Sequence, residues 1–174
     1  MKIILETPRL FLREITPLDA QNAYDLNSDW EVIKYTGDNA FESVEAAQKF
    51  LENYKDYEKN GFGRWAVVLK ENGEFLGWCG LKYNEDIKEI DLGYRFSRNN
   101  WGKGYATESA KACLEYGFSK LNLETIIARA NKENIASVNV MKKLNMQFEK
   151  TGDFCGENAV QYRINKATFL NLHI

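Results

Sequence analysis

The chain has 174 residues, of which 44% are hydrophobic, 28% charged and 13% aromatic, so it is long enough to form a domain with a hydrophobic core. Lysine and arginine number 23 against 25 acidic residues, and the formal net charge of −2 gives no reason to expect a nucleic acid or an anionic membrane as the main partner. The single histidine, His173, lies beside the C-terminus, and Cys79, Cys113 and Cys155 are widely spaced, which argues against histidine-dependent hydrolase chemistry, a disulfide framework and a thiolate or histidine-rich metal site.

No part of the sequence predicts a membrane segment or a second domain. The longest uninterrupted apolar run, Trp65–Leu69, is far too short to cross a bilayer, and the N-terminus lacks the pattern of a signal peptide. Both prolines fall within the first twenty residues, and neither a linker nor an internal repeat follows. We therefore expect residues 1–174 to form a single domain in the reducing cytoplasm.

The first half of the chain predicts a strand, two helices and a hairpin. Alternating apolar residues predict a strand over Arg9–Ile15, followed by a helix with Thr16 as N-cap and Pro17 in its first turn. Helical spacing predicts a second helix from Ser43. Two apolar runs, 64–70 and 75–83, flank Asn72-Gly73, a pair typical of a tight β-hairpin.

The second half alternates strands with helices. Strands are predicted over 89–96, 124–131, 146–152 and 159–170. The segment 101–110 leads into a predicted helix with apolar residues from Ala106 to Phe118 on one face, and another helix is predicted from Asn134, which is a candidate N-cap. The order β-α-α-β-β-β-α-β-α-β-β predicts an α+β domain with a twisted, mostly antiparallel sheet of about six to seven strands and about four flanking helices.

The segment WGKGYATESA, residues 101–110, carries two glycines directly before a helix. A helix N-terminus offers unpaired N–H groups, and glycine permits positive φ and close approach of an anion, so the segment predicts a pyrophosphate-binding loop to which Lys103 adds charge. The segment lacks the GxxxxGK[ST] pattern, and Thr107 stands where GxGxxG requires its third glycine. A tight strand-to-helix turn without a ligand is the alternative.

Three segments resemble the GNAT superfamily of N-acetyltransferases. SRNNWGKGYATESAKACLEYGF (97–118) is similar to its acyl-CoA pyrophosphate loop and helix: Gly102 and Gly104 match, and Asn99 stands where the pattern has Gln or Arg. ANKENIASVNVMKKLNMQF (130–148) resembles a second motif, with Asn134 and Ser137 at its NxxS positions. Residues 5–35 resemble the RimJ/RimL-like branch, which includes ribosomal-protein N-terminal acetyltransferases.

This resemblance implies an acetyl-CoA-dependent enzyme that acetylates a primary amine by direct attack in a ternary complex. By analogy with the branch, the acceptor is a protein N-terminal α-amine. The implied partners are acetyl-CoA and that amine, with no metal, nucleic acid or membrane, and the chain is a monomer or a homodimer.

The resemblance also assigns coenzyme contacts. In the family a splayed strand presents main-chain N–H groups to the thioester carbonyl, and the matching segment is Tyr94–Phe96. Asn134 is either a helix cap, a contact to the pantetheine arm, or both. The implied coenzyme-binding residues are Tyr94, Arg95, Phe96, Asn99, Trp101, Gly102, Lys103, Gly104, Tyr105, Ala106, Thr107, Asn134 and Ser137.

Two positions depart from the family pattern. Met141 stands where many members carry a tyrosine that protonates the leaving thiolate, and methionine cannot donate a proton. Ser137 is then the best remaining donor to the coenzyme sulfur, although a plain helical serine is the alternative. Asn145 replaces a glycine after the helix, where asparagine also tolerates the left-handed conformation.

The general base has three candidates. Asp91 comes first, because it lies among apolar neighbours on the strand that leads to the site. Asp153 and Glu157, in the loop before the last strand, are rivals. Each of the three is alternatively a solvated surface charge, and a water molecule could serve instead.

Two further functions stay open at this point. The acceptor could be a small amine such as a polyamine, an amino acid or an antibiotic. The chain could also be a non-catalytic acyl-CoA-binding module, for which Met141 is the argument. Acidic residues around the acceptor cleft would favour a cationic small substrate, whereas an open groove of peptide width would favour a protein.

Overall fold

The computed structural model describes residues 2–154 and 158–171, and its strands form one mixed sheet. The strands are β1 (Ile3–Glu6), β2 (Leu10–Glu14), β3 (Arg64–Leu69), β4 (Phe75–Asn84), β5 (Glu89–Phe96), β6 (Thr125–Asn131), β7 (Gln147–Gly152) and β8 (Ala159–Asn165). They lie in the order β1-β2-β3-β4-β5-β6-β8-β7. All neighbours pair antiparallel except β5 and β6, which run parallel.

Helices cover both faces of this sheet. They are α1 (Ala20–Ser28), α2 (Trp30–Ile33), α3 (Val44–Glu52), α4 (Asp56–Asn60), α5 (Tyr105–Ser119), α6 (Ile135–Lys143) and α7 (Lys166–Asn171). The Sγ atoms of Cys79 on β4 and Cys113 on α5 are 3.7 Å apart, so α5 lies on the Cys79 face. Because successive side chains of a strand point to opposite faces, Trp78 lies on the other face, which α1 covers. Among the described residues, no helix has the length and apolar character needed to cross a bilayer.

The predicted fold class is confirmed, with local corrections. Within residues 2–154 and 158–171 the sheet has eight strands rather than six to seven, because residues before Pro8 form β1 and pair with β2. The last strand ends at Asn165, whose Oδ1 accepts a hydrogen bond from the N–H of Thr168 at 2.8 Å and so begins α7. Helices α2, α4 and α7 exceed the predicted four, because helices of four to six residues carry too few apolar positions to show a period.

A buried ion pair fixes the start of α1. Thr16 and Pro17 do begin a helical segment, but its first turn is a 3₁₀ turn over Pro17–Asp19. The Asp19 carboxylate receives both terminal nitrogens of Arg13, at 2.6 and 2.7 Å, and also the N–H of Thr16 at 2.9 Å. Burial opposes ionisation of Asp19, but these bonds outweigh it and lower its pKa. Arg13–Asp19 is therefore a structural pair of β2 and α1.

Candidate active site

A cavity of about 810 Å³ lies where β5 and β6 separate. The two strands share one registered pair, Asp91 with Ile127, and both continue beyond it without pairing. The coenzyme side of the cavity, named for the resemblance, is lined by Tyr94, Phe96, Trp101, Gly102, Gly104, Tyr105, Ala106, Thr107, Asn134 and Ser137. The acceptor side is lined by Glu31, Lys34, Arg64, Trp78, Asp91, Arg129 and Phe154.

The edge of β5 directs main-chain groups into this gap. The N–H of Ser97 donates to the carbonyl of Leu76 at 3.0 Å, on the β4 side, and such bonds alternate along an antiparallel strand. The main-chain groups of Tyr94 and Phe96 therefore point the other way, toward the gap. The indole Nε1–H of Trp101 donates to the Phe96 carbonyl at 2.8 Å, consistent with that direction. The predicted splay is present, and two N–H groups can face a thioester carbonyl there.

The loop before α5 has the backbone that an anion site requires. Gly102 and Gly104 have φ values of 74° and 83°, in the left-handed region, and Gly104 directly precedes the first turn of α5. A Cβ added at Gly102 would meet no atom within 4 Å, so the space beside the loop is open. The α5 N-terminus, with its unpaired N–H groups and partial positive charge, faces this space. These residues fit a pyrophosphate.

An N-terminal clamp, formed by Thr7, Arg9 and Glu108, holds this loop. Arg9 Nε and Nη2 each lie 2.7 Å from Glu108 Oε2 in the first turn of α5, and the Thr7 hydroxyl donates to Oε1 at 2.6 Å. Arg9 Nη1 donates to the Lys103 carbonyl at 3.0 Å, and the guanidinium lies 4.6 Å from the Tyr105 ring centre. Burial opposes ionisation of Glu108, but these bonds prevail and lower its pKa. The clamp was missed because its members are about a hundred residues apart in the sequence.

Helix α6 forms the opposite wall of the coenzyme side. The Asn134 Oδ1 atom accepts from the N–H of Ser137 at 3.1 Å, so the predicted cap is confirmed, and the pantetheine contact stays a prediction. Tyr94 Oη donates to the Ser137 carbonyl at 2.8 Å and links β5 to α6. Met141 is 1% exposed and packs in the core. Asn145 has a φ of 58°, so it takes the left-handed conformation expected of it.

Asp91 lies on the acceptor side in an ion pair with Arg64. Arg64 Nη2 contacts Asp91 Oδ2, and Nη1 donates to the Asp91 carbonyl at 2.9 Å. A Cβ on Gly93 would lie 2.5 Å from Arg64 Nη2, so glycine makes room for the guanidinium. Burial raises the pKa of Asp91, and the charge of Arg64 opposes this rise. The free energy of unfolding therefore decreases as pH rises from the ordinary pKa of a carboxyl group to the raised pKa of Asp91. The charge of Arg64 limits this decrease.

Several predicted residues lie away from the coenzyme side. The Arg95 side chain reaches the opposite face, where it contacts Asn27 Oδ1 at 2.6 Å and Asp38 Oδ2 at 2.5 Å. Asn99 and Lys103 do not line the cavity, and Lys103 Nζ lies 3.4 Å from Asn100 Oδ1. Their coenzyme contacts stay predictions.

The rival bases are less well placed. Asp153 is exposed outside the cavity and accepts from the N–H of Asn158 at 3.2 Å. Glu157, like Cys155 and His173, lies outside the described residues. Arg64 and Arg129, which the sequence did not single out, line the acceptor side.

Comparisons with known proteins agree with this geometry. Residues 9–147 match the family model "Acetyltransferase (GNAT) domain". The chain is 34% identical over 147 residues to the uncharacterized N-acetyltransferase p20 of Bacillus licheniformis, covering 83% of each chain. It also resembles the crystal structure of a GNAT-family acetyltransferase from Bacillus anthracis, with a TM-score of 0.79, 28% identity and coverage of 96% of this chain and 99% of that one.

A further structural neighbour was solved with ligands. Spermidine N-acetyltransferase from Vibrio cholerae, in complex with CoA and spermine, has a TM-score of 0.80 and 21% identity, and covers 95% of this chain and 100% of its own. At that identity the likeness concerns the fold. The family match spans most of the sequence, and the curated relative agrees with it. The chain therefore belongs to the GNAT acetyltransferase family and is an acetyl-CoA-dependent N-acetyltransferase.

Proposed function

We propose that the acceptor is the α-amine at the N-terminus of a protein or peptide. The observation that carries this proposal is that two of the three carboxylates lining the cavity are paired with a cation, the third being Glu133. Asp91 is paired with Arg64, and Glu31 Oε2 lies 2.7 Å from Lys34 Nζ. A polyamine needs several anionic partners for its separate ammonium groups, and these carboxylates already have cationic partners. An acceptor with one amine suits this wall better.

The weak base available at the site also favours an α-amine. An amine attacks a thioester only when neutral, and at pH 7 an α-amine with a pKa of roughly 8 is about one-tenth neutral, against less than about a thousandth for lysine. A carboxylate is a poor base for a lysine even when burial raises its pKa, as it does for Asp91, but it suffices to remove a proton from an α-amine, directly or through one water molecule.

The proposed mechanism is direct transfer within a ternary complex. Acetyl-CoA supplies the activated acetyl group. The loop of Gly102–Thr107 binds the pyrophosphate, and the N–H groups of Tyr94 and Phe96 polarise the thioester carbonyl. Asp91 accepts the proton of the attacking amine, and the Ser137 hydroxyl donates a hydrogen bond to the departing sulfur.

Thiol release with three acceptors tests the proposed amine class. The first is a peptide with a free N-terminal serine, the second is the same peptide with a blocked N-terminus and one internal lysine, and the third is spermidine. We expect the highest kcat/KM with the free α-amine. A higher kcat/KM for spermidine or for the lysine peptide would contradict the proposal.

Replacing Ser137 by alanine tests its role at the sulfur. The Asn134 cap uses the main-chain N–H of Ser137, so losing the hydroxyl leaves α6 intact. We expect kcat to fall about tenfold, less than the usual general-acid effect of about a hundredfold or more, because a thiol leaves readily. Isothermal calorimetry should show an unchanged Kd for acetyl-CoA.

Two further variants serve as controls for Ser137→Ala. Ser137→Thr keeps a hydroxyl and should retain most of the activity, whereas Ser119→Ala, at the far end of α5, should change nothing. An unaltered kcat in Ser137→Ala would instead assign protonation of the thiolate to water.

A further inference from the structure

Arg129 lies on the acceptor side close to Asp91. It is two residues beyond Ile127, the register partner of Asp91, and both residues line the same face of the sheet. Two residues of a strand span about 7 Å. The positive charge of Arg129 is near enough to act on the Asp91 carboxyl. An acceptor whose amine lies at Asp91 therefore extends within reach of this guanidinium.

Neutral groups hold the Arg129 guanidinium in place. Its Nε–H donates to Gln161 Oε1 at 2.7 Å, and the buried Gln161 amide in turn donates to Glu149 Oε2 at 2.6 Å. The Phe154 ring centre lies 4.4 Å from the guanidinium carbon. The amide fixes one edge of the guanidinium, and the ring covers part of its surface.

The terminal nitrogens of Arg129 are unused within the described ranges 2–154 and 158–171, where neither makes a hydrogen bond or an ion pair. Two other arginines line the cavity and differ, because Arg64 is paired with Asp91 and Arg95 with Asp38. Arg129 thus presents two parallel N–H donors at the cavity wall. This fork matches a carboxylate, which accepts two such bonds side by side.

We propose that Arg129 is a specificity residue that binds a carboxylate of the acceptor, so that the substrate is a primary amine bearing a nearby carboxylate. This inference rests on the proposed transferase function. The wall would then match the acceptor at both ends, with Asp91 at the ammonium group and Arg129 at the carboxylate. Because Gln161 and Phe154 already orient the guanidinium, little side-chain freedom is lost on binding.

Two sources could supply this carboxylate. One is an acidic side chain just after the N-terminal residue of a peptide, and the other is the α-carboxylate of a free amino acid. Matched pairs separate them: a peptide beginning Ser-Glu against Ser-Gln, and L-serine against L-serinamide. Both members of each pair carry an α-amine. The amine of L-serinamide is more acidic than that of L-serine, so the ratio of kcat/KM within each pair is compared between wild type and a variant.

The test is kcat/KM from thiol release for each pair, in wild type and in Arg129→Gln. We expect wild type to prefer the carboxylate-bearing member of one pair at least tenfold, and the variant to lose that preference. Any change in the pKa of Asp91 affects both members of a pair, so the ratio of their kcat/KM values reports only the recognition of the carboxylate. Lys70→Gln is the control, because it also removes one positive charge, and Lys70 lies outside the cavity and pairs with Glu6 rather than with the groups that hold Arg129.

The outcomes are distinct. Turnover with equal ratios in wild type and Arg129→Gln would overturn the role of Arg129 and leave the proposed α-amine acceptor intact, whereas a preference for spermidine would overturn both. Binding of acetyl-CoA with no thiol release from any acceptor, including spermidine and the lysine peptide, would overturn the proposed function together with this inference. A lost preference in Lys70→Gln as well would show that the effect is a general one of charge and would overturn the role of Arg129.

Discussion

Replacing Gly104 by valine is expected to abolish micromolar binding of acetyl-CoA. Gly104 has a φ of 83°, a left-handed conformation that costs a residue with a side chain about 1–2 kcal/mol, and more for a β-branched one. Its Cβ would also lie 3.4 Å from Arg9 Nη2, so the valine methyl groups would press on the N-terminal clamp. The N–H groups before α5 could then no longer converge on one anion. Isothermal calorimetry with acetyl-CoA measures the effect.

The β3–β4 turn offers a matched control. Gly73 has a φ of 75°, and a Cβ there would meet no atom within 4 Å, so Gly73→Val imposes similar backbone strain far from the cavity. It should lower the melting temperature but leave the Kd for acetyl-CoA unchanged. If Gly104→Val binds acetyl-CoA like wild type, or if Gly73→Val weakens binding equally, the loop before α5 is not the pyrophosphate site.

Replacing Asp91 by asparagine should lower kcat/KM at pH 7 about a hundredfold, as expected for loss of a general base. At pH 9 the ratio of wild-type to variant kcat/KM should be about tenfold smaller than at pH 7, because most of an α-amine with a pKa near 8 is then already neutral and needs no general base. The Kd for acetyl-CoA should stay the same. Thiol release between pH 6 and pH 9.5 supplies the profile, and a deficit that does not change with pH would assign Asp91 a structural role only.

A variant of the Arg13–Asp19 pair distinguishes an effect on catalysis from an effect on stability. Removing one member of a buried ion pair costs about 3–5 kcal/mol, so Asp91→Asn and Asp19→Asn should both unfold at lower urea concentrations. Asp19 does not line the cavity, and Asp19→Asn should therefore keep the wild-type pH profile of kcat/KM. A third variant, Arg64→Met, removes the cation that opposes burial, so the pKa of Asp91 should rise and the acid limb of kcat/KM should move to higher pH.

Local backbone chemistry made parts of the site predictable from sequence. Glycine is the residue that readily adopts positive φ, so Gly102 and Gly104 predicted from the sequence alone a turn with converging N–H groups, and both have positive φ in the structure. Capping of a helix start by asparagine and the left-handed conformation of asparagine at a helix end also depend only on the neighbouring backbone. Asn134 and Asn145 took these expected roles. The Asn72-Gly73 turn likewise joined β3 and β4 as an antiparallel pair.

Contacts between distant parts of the chain were not predictable in this way. Arg64 and Asp91 are 27 residues apart, and only the register of β3, β4 and β5 brings them together on one face. The unused donors of Arg129 follow from the position of Gln161 on β8, which a single sequence does not reveal. The direction of the Arg95 side chain depends on where α1 and its loop pack.

The N-terminal clamp has a thermodynamic consequence for the whole sheet. Arg9 begins the segment that pairs with β3, and it also bonds the Lys103 carbonyl and Glu108. We therefore expect order that acetyl-CoA imposes on the loop to stabilise the outermost strands, and by reciprocity disruption of those strands to weaken the affinity for the coenzyme. The edge of the sheet and the loop before α5 are linked through Arg9, although the cavity itself touches neither β1 nor β2.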